Sequence, residues 1–221
     1  LTFTQAVEKI AAGMGYKEED IYERKEESKK ALQRKEKENR YRDLVEESCL
    51  YFQQHLSDQQ KEYLTNRGLS EESITQYRFG QTPDSQSALT EYLLGKGYDL
   101  NELIDVGLTT RDSKGELFDF FRQRLIIPIF DTSNRVVGFS GRKLADWQKS
   151  KYVNSKDSLI FKKSNILYNL NFAKDSIFKT DSTIVVEGFF VVLILPLLLF
   201  ECDPLFVFSS PLVEFSFDVQ L

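Results

Sequence analysis

The chain has 221 residues, 41% of them hydrophobic and 29% charged, which is enough apolar material for one folded domain or two small ones. Its 11 glycines and 5 prolines exclude collagen-like and proline-rich disordered classes. Two cysteines, Cys49 and Cys202, and a single histidine, His55, supply neither a four-ligand zinc site nor a disulfide framework. We therefore expect a reduced, cytoplasmic setting without zinc or membrane, and the first residue, Leu1, favours a piece of a longer protein.

The net charge of -5 is unevenly distributed along the sequence. Residues 181–221 contain six acids and no lysine or arginine, whereas residues 122–163 contain ten bases and only three acids. A local excess of +7 in an acidic protein favours a site for a polyanion. The alternative is an ordinary solvated face that is rich in lysine.

The first half of the sequence predicts a helical assembly with short loops. A short helix is expected over residues 4–14, and the mixed charges of residues 17–47 are typical of a solvent-exposed helix or a helical linker. From Tyr41 onward an apolar stripe predicts a helix with a buried face. Ser57 and Ser70 offer N-caps for two further helices, the second ending near Gly80, and residues 86–96 and 99–105 predict two more.

After Gly107 the pattern changes to β-structure. Residues 125–130 and 136–140 predict the two strands of a β-hairpin, with Pro128 at a sheet edge or a bulge. A helix is expected over residues 166–178, and residues 183–186 are typical of a buried parallel strand. The predicted fold class is therefore α+β leading into α/β.

Glu187 and Gly188 follow the last predicted strand directly. A carboxylate at the C-terminal end of a parallel strand lies where open α/β sheets bind ligands, and glycine lets the backbone turn close to a phosphate or a metal. A plain turn is the alternative. Residues 189–200 are apolar, but Glu187 and Pro196 interrupt the run, so it is too short for a membrane-spanning helix. Residues 191–221 predict a poorly organised tail.

Bases and aromatic residues alternate over residues 122–163. Arg122 and Arg124 lie at the start of a predicted strand, where side chains two residues apart share a face. Cations that track phosphates and rings that stack on bases suit a nucleic-acid single strand, the candidate rings being Trp147, Tyr152 and Phe161. The alternative places these rings in the core and the bases on the surface.

Several motifs follow one another in a fixed order, namely Tyr63-Leu-Thr-Asn-Arg67-Gly-Leu-Ser70, Phe121-Arg-Gln-Arg-Leu-Ile-Ile-Pro128-Ile, Val136-Val-Gly-Phe-Ser-Gly-Arg142, Lys151-Tyr-Val-Asn-Ser155, Ile160-Phe-Lys-Lys163 and Val185-Val-Glu-Gly-Phe189. Together they resemble the catalytic core of bacterial (DnaG-type) DNA primases over roughly residues 1–190. The resemblance implies RNA primer synthesis on a single-stranded DNA template from ribonucleoside triphosphates. It also implies a replicative helicase as a partner of the intact enzyme.

The resemblance further implies a domain organisation and a set of site residues. We divide the chain into a charged helical segment (1–40), a helical subdomain with a β-hairpin (41–165), the start of a Toprim-type parallel α/β domain (166–190) and a divergent apolar tail (191–221). The motif positions expected to bind template and nucleotide are Arg67, Arg122, Arg124, Arg142, Lys151, Asn154 and Lys163, with Ser155 completing the fourth motif. Glu187 matches the catalytic carboxylate expected to hold Mg²⁺ or Mn²⁺.

The sequence also departs from the family pattern. Val191 stands where an aspartate is expected, the later Asp-x-Asp motifs do not occur, and the zinc ribbon is missing. The abrupt change after residue 190 favours an altered reading frame or a truncated gene. Because two-metal chemistry needs several carboxylates, we expect this chain to be weakly active or inactive. The alternatives are a non-catalytic single-strand-binding remnant, a fragment of a Toprim nuclease or topoisomerase, and a membrane protein, which only residues 189–200 support.

Overall fold

The computed structural model describes residues 2–15, 18–186 and 206–208. The chain divides into two compact units, residues 1–40 and residues 41–221. The elements in chain order are α1 (Phe3–Gly13), α2 (Glu18–Gln54), α3 (Asp58–Asn66), α4 (Glu71–Gln76), β1 (Gly80–Gln81), α5 (Ala88–Gly95), α6 (Leu100–Asp105), β2 (Thr109–Arg111), β3 (Leu117–Asp119), β4 (Arg124–Phe130), β5 (Val136–Lys143), β6 (Tyr152–Asn154), a 3₁₀ helix (Lys163–Asn165), α7 (Leu170–Thr180), β7 (Ile184–Val186) and β8 (Phe206–Phe208).

The charged stretch and the apolar stripe form one helix rather than two. Helix α2 runs without a break for 37 residues, and its exposed charges give way to a buried stripe at Tyr41. Leu44, Cys49 and Phe52 on this stripe are buried in the core of the second unit. The charged stretch is therefore helical, as predicted, and it is continuous with the core helix that follows.

The two serine caps form as predicted. The Ser57 hydroxyl oxygen accepts from the N–H of Gln60 (3.4 Å), and that of Ser70 accepts from the N–H of Ser73 (3.1 Å). The capping box at Ser57 is only half formed, because the buried side-chain oxygen of Gln60 has no hydrogen-bond partner among the described residues. Helix α4 ends at Gln76, earlier than expected.

The main sheet is antiparallel, with the strand order β1-β4-β5-β6. The β4–β5 hairpin is confirmed, whereas β1 and β6 are not predicted by the sequence. Pro128 lacks a backbone N–H, and it lies at a position of β4 where the pairing with β5 requires none. The Arg124 carbonyl accepts from the N–H of Thr82 on the β1 side, and Ile126 lies opposite Gly80, so alternate residues of β4 turn their backbone groups away from β5. Pro128 continues this alternation just beyond β1, and the strand bulges between Ile129 and Phe130.

Each face of the main sheet packs against a different helical layer. On one face Ile126 and Phe139 pack with helix α2, where the rings of Phe52 and Phe139 meet edge to face at 5.2 Å. On the other face Leu125 belongs to a cluster with Leu64 of α3. Strands β2 and β3 form a small separate antiparallel sheet. The sheet thus lies between two apolar layers.

The region after the sheet differs from the prediction in two respects. The expected helix over 166–178 begins only at Leu170, because Asn169 has a left-handed φ of 70° that cannot continue a helix backward. Strands β7 and β8 pair in parallel, but Ile184 and Val185 are 47% and 44% exposed, so the expected burial of this strand is wrong. The reason is that the described part of this sheet gives β7 a single partner strand.

The predicted carboxylate Glu187 and most of the apolar tail, including residues 189–200, lie outside the described residues. Within residues 2–15, 18–186 and 206–208, no helix has the length and apolar character needed to cross a membrane.

Candidate nucleic-acid interface

The strand register distributes the candidate bases over two faces of the main sheet. Arg124 of β4 lies opposite Lys143 of β5, and the next residue, Leu125, lies opposite Arg142. Because successive side chains of a strand point to opposite faces, Arg124 and Arg142 belong to different faces. The predicted groove residues therefore form two groups.

The first group, the tyrosine cluster, consists of Tyr63, Arg67, Arg142, Lys151 and Tyr152. The guanidinium carbon of Arg142 lies 5.5 Å from the ring centres of both tyrosines, and its Nη1 donates to the Tyr152 hydroxyl at 2.7 Å. Arg67 lies 5.2 Å from the ring of Tyr63, and the Lys151 ammonium lies 5.9 Å from that of Tyr152. Two rings thus bring together three cations that are distant in sequence.

Asn154 and Ser140 lie on the same face as Arg142. They are paired across β5 and β6, and their side-chain oxygens are buried without a hydrogen-bond partner in the described part of the chain. Ser155 has a structural role, since its hydroxyl accepts from the N–H of Phe139 at 2.9 Å. Lys163 lies in the 3₁₀ helix, and no described contact joins it to the tyrosine cluster.

The second group lines a cavity of about 370 Å³ on the other face, which we call the basic cavity. Its walls include Arg122, Arg124, Lys149, Trp147 and Phe120, and none of the described carboxylates contributes to the lining. Three cations around one concave surface attract an anion. Lys149 is one of the ten bases of residues 122–163, but it lies in none of the family motifs, so the sequence did not identify it as a site residue.

Arg124 is the buried member of this cavity, and its side chain joins strand β5 to the loop that follows it. Its side chain is embedded in the sheet, and Nη1 donates to the carbonyl oxygens of Gly141 (2.9 Å) and Ser150 (3.2 Å). Burial lowers the pKa of this guanidinium below its usual value. Gly141 makes the crossing possible, because a Cβ at that position would lie 2.7 Å from the Cδ of Arg124 and 2.7 Å from the ring of Phe121.

The loop between β5 and β6 is held over the cavity by hydrogen bonds. The side-chain amide of Gln148 donates to the carbonyl oxygen of Arg122 at 2.7 Å. The indole N–H of Trp147 donates to the Gln123 side chain at 3.0 Å. The guanidinium of Arg122 itself lies 4.4 Å from the ring of Phe118. Gln123 lies between the two motif arginines, and its role is visible only once the loop is folded over it.

The three rings predicted to stack on bases have different environments. Phe161 is 2% exposed and belongs to the core, so this part of the prediction is wrong. Tyr152 is half-buried in the tyrosine cluster. Trp147 is 65% exposed. The sequence cannot separate these rings, because all three lie among bases.

The described residues do not by themselves form a metal centre. In the ranges 2–15, 18–186 and 206–208, no three His, Cys, Asp or Glu side chains come together around a common point. This part of the chain therefore does not provide the ligand set expected for Mg²⁺ or Mn²⁺, and the role predicted for Glu187 lies outside it.

Helical layers on both faces of an antiparallel sheet define an α+β domain, and its basic cavity suits a polyanion such as a nucleic acid. Residues 50–174 match the family described as the DNA primase catalytic core, N-terminal domain. The chain therefore belongs to the bacterial DnaG-type DNA primases. The DNA primase of Clostridium acetobutylicum is 38% identical over 158 residues, which cover 70% of this chain and 26% of that protein. The primase of Pasteurella multocida is 33% identical over 196 residues, covering 86% of this chain and 32% of its own length.

Solved structures show the same family. The RNA polymerase domain of Mycobacterium tuberculosis primase DnaG, in complex with a double-stranded DNA oligomer with a 6-nucleotide overhang, matches with a TM-score of 0.72 and 30% identity over 79% of this chain and 55% of that one. The DnaG primase catalytic domain bound to ssDNA matches with a TM-score of 0.70 and 29% identity over 81% of this chain and 57% of its own. The chain thus spans about a quarter to a third of the curated relatives and somewhat over half of these solved domains.

Proposed function

We propose that this chain is the part of a DNA primase that holds the single-stranded DNA template while ribonucleoside triphosphates are joined into an RNA primer. The observation that carries the proposal is the basic cavity, in which three cations and an exposed tryptophan meet and to whose lining no carboxylate of the described residues contributes. Membership of the primase family supports the same function. The enzyme class is a nucleotidyltransferase of the DNA-directed RNA polymerase type.

The two groups of bases have separate tasks in this proposal. The basic cavity holds template phosphates through Arg122 and Lys149. The tyrosine cluster holds the triphosphate of the incoming nucleotide, because the rings fix the position of Arg142 before the ligand arrives, and a pre-positioned cation loses little freedom on binding. Asn154 adds a hydrogen-bonding side chain next to this cluster.

We assign metal binding and the catalytic carboxylate to Glu187 on family grounds alone, with Mg²⁺ or Mn²⁺ supplying charge neutralisation at the reacting phosphate. The described residues bring no ligand cluster together, so their part in the reaction is to bind and position the template and the nucleotide. The departure of the sequence from the family pattern, with Val191 where an aspartate is expected, favours a second candidate function, a single-strand-binding chain with weak or no synthesis. On family grounds, the proposal also includes contact with the replicative helicase, membership of the primosome and a cytoplasmic location.

Salt-dependent binding tests the proposed function. Each phosphate contact to a single strand contributes about -0.7 to the slope of log K against log salt, so the two template contacts assigned to Arg122 and Lys149 give a slope of about -1.4. We expect this slope in fluorescence anisotropy with a labelled oligonucleotide. Replacing Arg122 and Lys149 with methionine should flatten it by about 1.4. The matched control replaces Lys29 and Lys35, exposed lysines of helix α2, and should leave the slope unchanged.

An unchanged slope in the Arg122/Lys149 variant would assign these bases to an ordinary solvated face. Synthesis separates the two candidate functions. Template-dependent nucleotide incorporation that Glu187→Gln abolishes would establish the enzyme, whereas binding without incorporation would establish the single-strand-binding chain.

A further inference from the structure

Trp147 occupies an unusual position for a large aromatic residue. It is the only tryptophan in the sequence, and its side chain is 65% exposed. The ring is nevertheless fixed, because its N–H donates to the side-chain oxygen of Gln123 at 3.0 Å. The amide of Gln123 donates in turn to Asp84, and its backbone has a left-handed φ of 48°. The structure thus holds an indole ring in a defined place at the surface.

The surroundings of the ring indicate what it can bind. Trp147 lines the basic cavity with Arg122, Arg124 and Lys149. The nearby ring of Phe120 carries a further cation, the Lys156 ammonium, 5.4 Å from its centre. A flat apolar face beside several cations is complementary to a ligand that joins a flat base to a phosphate.

Resting on the proposed function, we propose that Trp147 stacks on one unpaired base of the template, while Arg122 and Lys149 bind the flanking phosphates. Paired bases in a duplex stack on each other and offer no open face to an indole. The basic cavity therefore selects single strands over duplexes through this one ring. Because Gln123 fixes the ring beforehand, the complex forms without reordering the side chain.

The single tryptophan makes a direct test possible, since all indole emission of the chain comes from Trp147. We expect an oligothymidine to quench this emission on binding. An abasic oligomer of equal length should bind through its phosphates without quenching, and a duplex should not quench. In the Trp147→Ala variant, affinity for oligothymidine should fall by about 5-fold to 100-fold while affinity for the abasic oligomer stays the same.

Two variants control for general effects of the substitution. Trp147→Phe keeps a ring and should retain most of the affinity for oligothymidine. Phe178→Ala removes a ring that is 90% exposed on helix α7 and should change neither affinity.

The outcomes distinguish stacking from the proposed function on which it rests. Equal quenching by the abasic oligomer or the duplex, or unchanged oligothymidine affinity in Trp147→Ala, would overturn stacking and leave template binding through phosphates in place. Failure of the folded chain to bind either oligomer at low salt would overturn both.

Discussion

Arg124 is expected to stabilise the fold more than it binds the template. Replacing it with methionine keeps most of the stem in place and removes the two hydrogen bonds that the guanidinium donates to Gly141 and Ser150. The carbonyl oxygen of Ser150 belongs to an exposed loop residue and can bind water instead. The carbonyl oxygen of Gly141 lies on a buried residue of β5 and loses its bond to this donor.

The expected cost follows from that difference. A hydrogen bond from a charged donor contributes about 1.5–3 kcal/mol. Because the Gly141 carbonyl keeps its ladder position opposite Val153 of β6, Arg124→Met should lower the free energy of unfolding by an amount at the lower end of this range, about 2 kcal/mol. For a chain of this size the corresponding decrease in Tm is about 4–8 °C. Arg124→Lys keeps the charge and one of the two bonds, and should cost about half as much. The β5–β6 loop, which Arg124 tethers at Ser150, should become looser in both variants.

Urea unfolding followed by circular dichroism measures the cost, and the emission of Trp147 on the same loop reports the loosening. Arg122→Met provides the matched comparison, since its guanidinium contacts the ring of Phe118 and lies at the surface of the cavity. Arg122→Met should reduce the salt slope by about 0.7 with little loss of stability. Arg124→Met should lower the stability and leave the salt slope unchanged. Arg124→Met with full stability and a slope reduced by about 0.7 would show that Arg124 binds phosphate directly and that the reasoning is wrong.

Two further predictions concern stability. Asp119 accepts from the N–H groups of Leu89 and Thr90 at 2.9 Å, so Asp119→Asn should cost about 1–3 kcal/mol. Burial raises the pKa of Asp119 above its unfolded value of about 4. The stability that Asp119 contributes is therefore fully present below the unfolded pKa and is lost as pH rises through the folded pKa. In urea unfolding, Asp119→Asn should lower the free energy of unfolding more near pH 4 than near pH 7, and an equal decrease at both pH values would contradict this. Gly80→Ala places a Cβ 2.6 Å from the backbone carbonyl carbon of Phe52 and should lower the free energy of unfolding by about 1–3 kcal/mol. Gly95→Ala in helix α5 places its Cβ in open space and should be neutral or stabilising. Thermal unfolding that ranks the two variants in the opposite order would refute the packing argument.

Elements with strong local signals could be predicted from the sequence. The apolar run of β4, the polar turn that begins at Asp131, and the serine caps of α3 and α4 are encoded within a few residues. Strands β1 and β6 have two and three residues, too few to show a period, and they exist only because β4 and β5 offer them edges. The start of α7 depends on the left-handed backbone of Asn169, which no apolar pattern records.

The candidate site could be predicted only as a set of residues. The motifs select Arg124 and Arg142 equally, but the side of the sheet that each occupies depends on the β4–β5 register. Whether a ring is buried, as Phe161 is, or exposed, as Trp147 is, depends on packing between distant elements. Local sequence therefore identifies the chemistry of the site, and the tertiary structure determines its division into two groups.

Pro128 has a consequence for the chain before it is folded. All seven residues of β4 are buried in the native structure, and the segment is otherwise a run of β-branched, aliphatic and aromatic side chains after Arg124. Such a segment, when exposed in a newly made chain, is prone to cross-β aggregation. A proline in its middle removes one N–H from any intermolecular ladder, and the bulge that follows distorts the strand further. The native sheet tolerates the missing donor because the alternation along β4 turns that position away from β5. We therefore expect Pro128 to oppose misassembly of the unfolded chain without weakening the hairpin.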